Sequence, residues 1–173
     1  MEKKFRCHKI SEGIVEGEAL VSGDNIMFYL IEPDTGKVIE PAHALEGQSI
    51  ANKILIFPSG KGSSVVQADG LFQLNKKDNA PKGMIIRYPE TVLVSSAIIM
   101  DIPMVDKVDE AFYETVRSGD HIRINADAGV IEILDYCFRA GCARRNQDEK
   151  ISGFISLCTL CYFSLRMRRL RRR

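Results

Sequence analysis

The chain has 173 residues, 45% of them hydrophobic and 27% charged, which suffices for one domain with a sizeable core and an appendage. Its formal net charge of +1 conceals a basic stretch, residues 139–173, with 10 Lys and Arg against 2 Asp and Glu, so the remaining body is acidic. An acidic body with a basic tail excludes the charge pattern of a nucleic-acid-binding domain.

In chain order, residues 5–10 have strand composition, and residues 13–21 alternate loosely, which predicts a second strand. Residues 26–31 predict a third. Pro33-Asp34-Thr35-Gly36 is a turn, because Pro presets φ and Gly accepts a positive one. Val38-Ile39 resumes the sheet. Residues 41–49, with His43, read as a loop that runs over the surface or walls a site.

From Ile54 the period changes. Ile54-Leu55-Ile56-Phe57 is an unbroken apolar run, the pattern of a fully buried strand. Pro58-Ser59-Gly60-Lys61-Gly62-Ser63-Ser64 breaks it, and residues 65–74 can be helical. A polar stop at residues 75–81 leads to a buried strand at 83–86, a short helix over 90–100 and a third strand at 102–105. Strand, helix, strand, helix, strand implies parallel pairing with right-handed crossovers. A helix turn at 109–116 follows, and residues 121–124 and 130–134 close the domain as a hairpin. Layers of sheet, sheet and helix satisfy this order.

Residues 151–165 are apolar apart from small hydroxyls, and Arg166-Met167-Arg168-Arg169-Leu170-Arg171-Arg172-Arg173 follows. That run falls short of the roughly 17–25 residues that cross a bilayer. A basic segment lying on a membrane is a second reading, and the expectation is an extension outside the domain's chemistry. Cys7, Cys137, Cys142, Cys158 and Cys161 are odd in number, and Met1-Glu2-Lys3-Lys4 opens no apolar leader, so reduced thiols in a cytoplasmic protein are expected. Cys158 and Cys161 have metal-ligand spacing, but a structural zinc site needs four ligands.

The Gly60–Ser64 stretch admits three chemistries. A Walker loop requires Gly-Lys-Ser/Thr after four residues, whereas Lys61 here precedes the second Gly. A hydrolase elbow requires a Gly two residues after the Ser, and Ser63 has none; three histidines, His8, His43 and His121, give little basis for a relay. The third is an oxyanion loop. Backbone N–H groups at a helix start, with Lys61 nearby, stabilise an alkoxide on Ser63, which then takes a proton from carbon beside a carboxylate. Equally, Ser63 and Ser64 could simply cap the helix.

Several separated motifs carry a resemblance. Ile10-Ser11-Glu12-Gly13-Ile14-Val15-Glu16-Gly17-Glu18-Ala19-Leu20, Leu45-Glu46-Gly47-Gln48-Ser49-Ile50, Phe57-Pro58-Ser59-Gly60-Lys61-Gly62-Ser63-Ser64 and Ala97-Ile98-Ile99-Met100-Asp101-Ile102-Pro103-Met104-Val105-Asp106 resemble the small, swivel-domain subunit of aconitase X. Ser118-Gly119-Asp120 and Ala128-Gly129-Val130-Ile131-Glu132 fit the same pattern, so the likeness spans about residues 5–134.

The resemblance implies a swivelling β/β/α domain over residues 1–136, with residues 137–173 as an extension. It implies a dehydratase made with a large aconitase-like subunit, which carries the iron or iron–sulfur centre, so no metal is expected on this chain. It also implies a small hydroxy-acid substrate, mevalonate 5-phosphate or cis-3-hydroxy-L-proline. Ser63 holds the position of the proton acceptor, with Lys61, Gly62 and Ser64 as its anion-stabilising surround. The chain departs from the family pattern at Val66-Gln67-Ala68-Asp69-Gly70, and it keeps only Arg87 of a polar stretch before Ala97. A catalytically diverged binding or regulatory module is the alternative.

Overall fold

A computed structural model describes residues 3–134. The expectations for the extension, for the Cys158 and Cys161 pair and for a membrane-lying tail fall outside the described residues. Among the described residues, no helix is long and apolar enough to cross a membrane.

The middle of the chain folds as its apolar runs predict. Strands β4 (Ile54–Phe57), β5 (Gly83–Ile86) and β6 (Met104–Asp106) pair in parallel, with β5 between the other two. All three are buried on both faces, which is why they read as unbroken apolar stretches. Leu55, Phe57, Met84, Ile86 and Met104 face a cluster completed by Leu71 and Leu74 of helix α1 (Ser64–Lys76) and by Leu93 and Ala97 of helix α2 (Thr91–Ile99). Ile54, Ile56, Ile85 and Val105 face the opposite way, against Ile122 and Ile124 of β7 (His121–Asn125) and Ile131 and Ile133 of β8 (Val130–Leu134). Sheet, sheet and helix are therefore three layers around two cores.

One long strand joins the two sheet layers. In β3 (Ile14–Val21), residues Ile14 to Glu18 pair antiparallel with β7, and Ala19 to Val21 pair in parallel with β4. Helix α3 (Glu110–Thr115) follows β6, and its buried Phe112 fills the inter-sheet core edge-on to Phe5.

The first expected strand is in fact two. Residues Lys3–Arg6 form β1, on β8, and His8–Ser11 form β2, on β6, at opposite ends of the order β1-β8-β7-β3-β4-β5-β6-β2. Only Cys7 separates them, so the ends of the sheet come together there, and the Cys7 amide donates to the Gly129 carbonyl. The third expected strand is corrected too. Residues 26–31 make single bridges at Ile26 and Ile31, with a 3-10 turn at Phe28–Leu30 between them. Phe28 is fully buried and packs edge-on against Phe57. That anchoring favours a turn over an extended strand. Val38 likewise contributes bridges rather than a strand.

The turn rests on α1 at Gly70. A Cβ there would lie 2.5 Å from the Phe28 carbonyl carbon and the Tyr29 nitrogen, so only glycine lets the two backbones meet. The Asp69-Gly70 pair weakens the helix by intrinsic preference, and this contact accounts for it.

Cys7 sits half-buried at the seam of the sheet. Burial, then Asp106 and Asp109, push its thiol from an ordinary 9.0 to about 11. The unfolded thiol loses its proton first, so stability falls as pH rises from about 9 to about 11 and is intact below that window. Urea unfolding across this range is expected to show a steeper loss for the wild type than for Cys7→Ala. Equal slopes would contradict the shift.

Candidate active site

The site lies at the carboxyl end of β4, the edge of an open parallel sheet where ligands bind. After Phe57 the chain stays tied to its neighbours. The Arg87 and Tyr88 amides donate to the Phe57 and Pro58 carbonyls, and the Ser59 hydroxyl donates to the Tyr88 carbonyl. On the other side, the Ile26 amide donates to Ser59 and the Lys61 amide to Ile26. The loop is thus held from both flanks up to Lys61. Gly62 then takes φ +106°, which a side chain would strain, and the chain turns outward.

Ser63 follows in extended conformation as the N-cap of α1. Its hydroxyl makes no capping bond, and the residue is exposed. The position is that of a cap, but the hydroxyl is not spent on capping. Ser64 opens the 13-residue helix and is also exposed. The first-turn N–H groups of any helix lack intrahelical acceptors, and they carry the positive end of its dipole. No acidic residue in the first turn of α1 offsets that field.

Lys61 is held by its neighbours at both backbone and side chain. Its amide is used by Ile26, and its ammonium pairs with Glu40 Oε1 at 2.5 Å, both side chains partly buried. Its charge is therefore largely balanced before any substrate arrives. Glu40 ends the segment before the 41–49 loop. The loop itself is pinned to residues 24 and 25. Leu45 donates its amide to His43 Nδ1, which leaves Nε2 as the donor to the Asn25 carbonyl, and the Ala44 amide donates to Asp24. His43 is thus a satisfied core histidine. His8 pairs with the buried Asp106 at 2.7 Å on the β2–β6 ladder, and His121 lies on β7.

Two residues at the site are not among the candidates that the sequence offers. Gln67, on α1, is 1% exposed; its Nε2 donates to the Gly62 carbonyl at 3.0 Å. Its Oε1 and the Oε1 of Glu90 are buried without a partner, and both lie where a Cβ on Gly60 would stand. A glutamine and a glutamate 23 positions apart are ordinary surface residues by composition, and only the tertiary fold brings them under the loop.

Among the described residues no group of three or more His, Cys, Asp or Glu gathers as a metal site.

Comparison with known proteins then decides the family. The model of the aconitase X swivel domain matches residues 4–133. The chain belongs to the aconitase X swivel-domain family. The phosphomevalonate dehydratase small subunits of Methanosarcina mazei and Methanococcoides burtonii are 42% and 38% identical over 132 and 133 residues. Each alignment takes in 76% of this chain and 91% and 96% of the relative. The crystal structure of Thermococcus kodakaraensis aconitase X (holo-form) superposes with a TM-score of 0.71 at 42% identity, over 77% of this chain and 99% of that one. The swivel domain thus accounts for nearly the whole length of these relatives.

Proposed function

We propose that this chain is the small subunit of a hydro-lyase that dehydrates mevalonate 5-phosphate, working only with a large aconitase-like subunit and using Ser63 as the proton acceptor. The relatives are dehydratase small subunits matched over nine-tenths or more of their length, which supports the reaction class and a large partner. The single observation behind the role of Ser63 is an exposed serine at the start of a 13-residue helix whose hydroxyl does not cap it.

The chemistry follows from that placement. Ser63, as its alkoxide, takes the proton from the carbon beside the substrate carboxylate. The C–H electron pair becomes the second bond to the neighbouring carbon, and the hydroxyl on that carbon departs as water after gaining a proton. A serine alkoxide is far too basic to persist in water. Each well-aimed N–H donor in a dry site contributes about 2.7–4 kcal/mol to a developing oxyanion, while the helix dipole adds at most about 2. The amides of the Gly62–Ser64 turn therefore do most of the stabilising, and exclusion of water falls to the docked partner. The implied iron or iron–sulfur centre belongs to that partner in this reading.

The test is to co-express the chain with its large subunit and supply the purified complex with mevalonate 5-phosphate or cis-3-hydroxy-L-proline. Loss of water from the first alone is expected. Turnover of hydroxyproline alone would reassign the substrate. An assembled complex that turns over neither would favour the binding-module alternative.

A further inference from the structure

We propose that Gln67 is a positioning residue for Ser63, its side chain holding the peptide unit that leads into it. This rests on the reading of Ser63 as proton acceptor. Gln67 makes two hydrogen bonds to the turn. Its side-chain Nε2 donates to the Gly62 carbonyl at 3.0 Å, and its backbone amide donates to the Ser63 carbonyl at 3.1 Å. The second is the first i→i−4 bond of α1, which any residue but proline would make; the first belongs to the glutamine side chain.

The first bond has a consequence for the active face. The peptide between Gly62 and Ser63 is trans and planar, so its N–H points opposite to its C=O. Gln67 draws the Gly62 carbonyl toward the buried face of α1. The Ser63 N–H is thereby turned away from Gln67, toward the exposed side of the turn. Gly62, at φ +106°, has no side chain to hold this orientation by sterics, and without the bond the peptide can flip.

Stability alone does not explain the glutamine. On α1 its buried companions are Gly70, Leu71 and Leu74. A buried amide costs free energy unless all its polar atoms are paired. Here Nε2 is paired but Oε1 is not, and it lies beside the equally unpartnered Glu90 Oε1 over Gly60. An apolar side chain of the same volume would avoid that cost. What it would lose is the bond to Gly62.

The experiment uses the complex with the large subunit. Gln67→Met keeps the volume and removes the donor; Gln67→Glu keeps the shape and replaces the donor with an acceptor. For both, kcat is expected to fall about tenfold or more with KM changed less than about threefold, because the loss is confined to the transition state. A merely structural glutamine would alter the amount of complex, not kcat per assembled complex. Wild-type kcat in assembled Gln67→Met would overturn the proposal. Should the variants not assemble, the wild-type chain still decides it: a through-hydrogen-bond NMR coupling between Gln67 Nε2 and the Gly62 carbonyl carbon is expected, and its absence overturns the proposal. Ser63→Ala run alongside separates the two ideas. If Ser63→Ala is inactive and Gln67→Met is not, only the positioning role falls; if Ser63→Ala is fully active, the reading of Ser63 falls.

Discussion

Ser63→Ala in the assembled complex is expected to lower kcat by about a thousandfold or more while KM and assembly stay near wild type. Removing a general base costs about 10²–10⁴ in rate, and a thousandfold corresponds to about 4 kcal/mol of transition-state stabilisation. The folded state has little to lose. The side chain is exposed, and its hydroxyl makes no capping bond, so the usual cost of about 1 kcal/mol for removing an N-cap does not apply here. A steady-state assay with a thermal melt of the same preparation checks both halves. A variant that lost several degrees of melting temperature and little activity would show that Ser63 is a cap.

Gly70→Ala is expected to destabilise the subunit, although alanine is the better helix former. Intrinsic preference favours the change by about 1 kcal/mol. Against it, the new Cβ would meet the Phe28 carbonyl carbon and the Tyr29 nitrogen at 2.5 Å and the Phe28 carbonyl oxygen at 2.8 Å. These are backbone atoms, so no rotamer relieves the contact and α1 must move off the turn. Overpacking of this kind costs about 1–3 kcal/mol or more, and the rigid partners place it at the upper end. A net loss of about 2 kcal/mol lowers the melting temperature by about 5–10 °C in a domain of this size. Circular dichroism of the full chain reads it directly. A melting temperature at or above wild type would mean that the turn is not seated on α1. Because α1 carries Ser63 at its start, activity is expected to fall as well.

These two positions differ in how far the amino-acid order reveals them. The turn that carries Ser63 is legible because a buried strand, a glycine turn and a helix follow one another within eleven residues, a local pattern. The parallel strands are legible for a similar reason: burial on both faces removes the alternation and leaves runs such as Ile54 to Phe57. The first strand of the closing hairpin, His121–Asn125, alternates in sequence as it does in burial, with Ile122 and Ile124 facing the core. Gly70 reads locally as a fault in a helix, and its cause, the crossing of Phe28, lies 42 positions away. Residues 26–31 have strand composition, but their conformation is set by Phe28 docking against Phe57 rather than by a neighbouring strand. The break at Cys7 is hidden because one continuous run serves two edges of the sheet.

The candidate site divides in the same way. Ser63, Gly62 and Ser64 stand where their spacing puts them. Lys61 is in place but already engaged by Glu40, a pairing that no local pattern announces. The burial of Gln67, on α1, and of the Glu90 Oε1, just before α2, is not announced in sequence because such polar side chains ordinarily face water. What the local pattern shows is the turn and helix start that carry Ser63, and what it hides is the set of tertiary contacts beneath them.

The most direct measurement follows the hydrogen itself. Mevalonate 5-phosphate deuterated at the carbon beside its carboxylate is given to the complex containing wild-type or Ser63→Ala chain, and deuterium release to solvent is measured with dehydration. The wild type should release the label with a primary isotope effect, and the Ser63→Ala complex should bind substrate yet release none. Release at the wild-type rate without the Ser63 hydroxyl would assign the proton to another group and contradict the account.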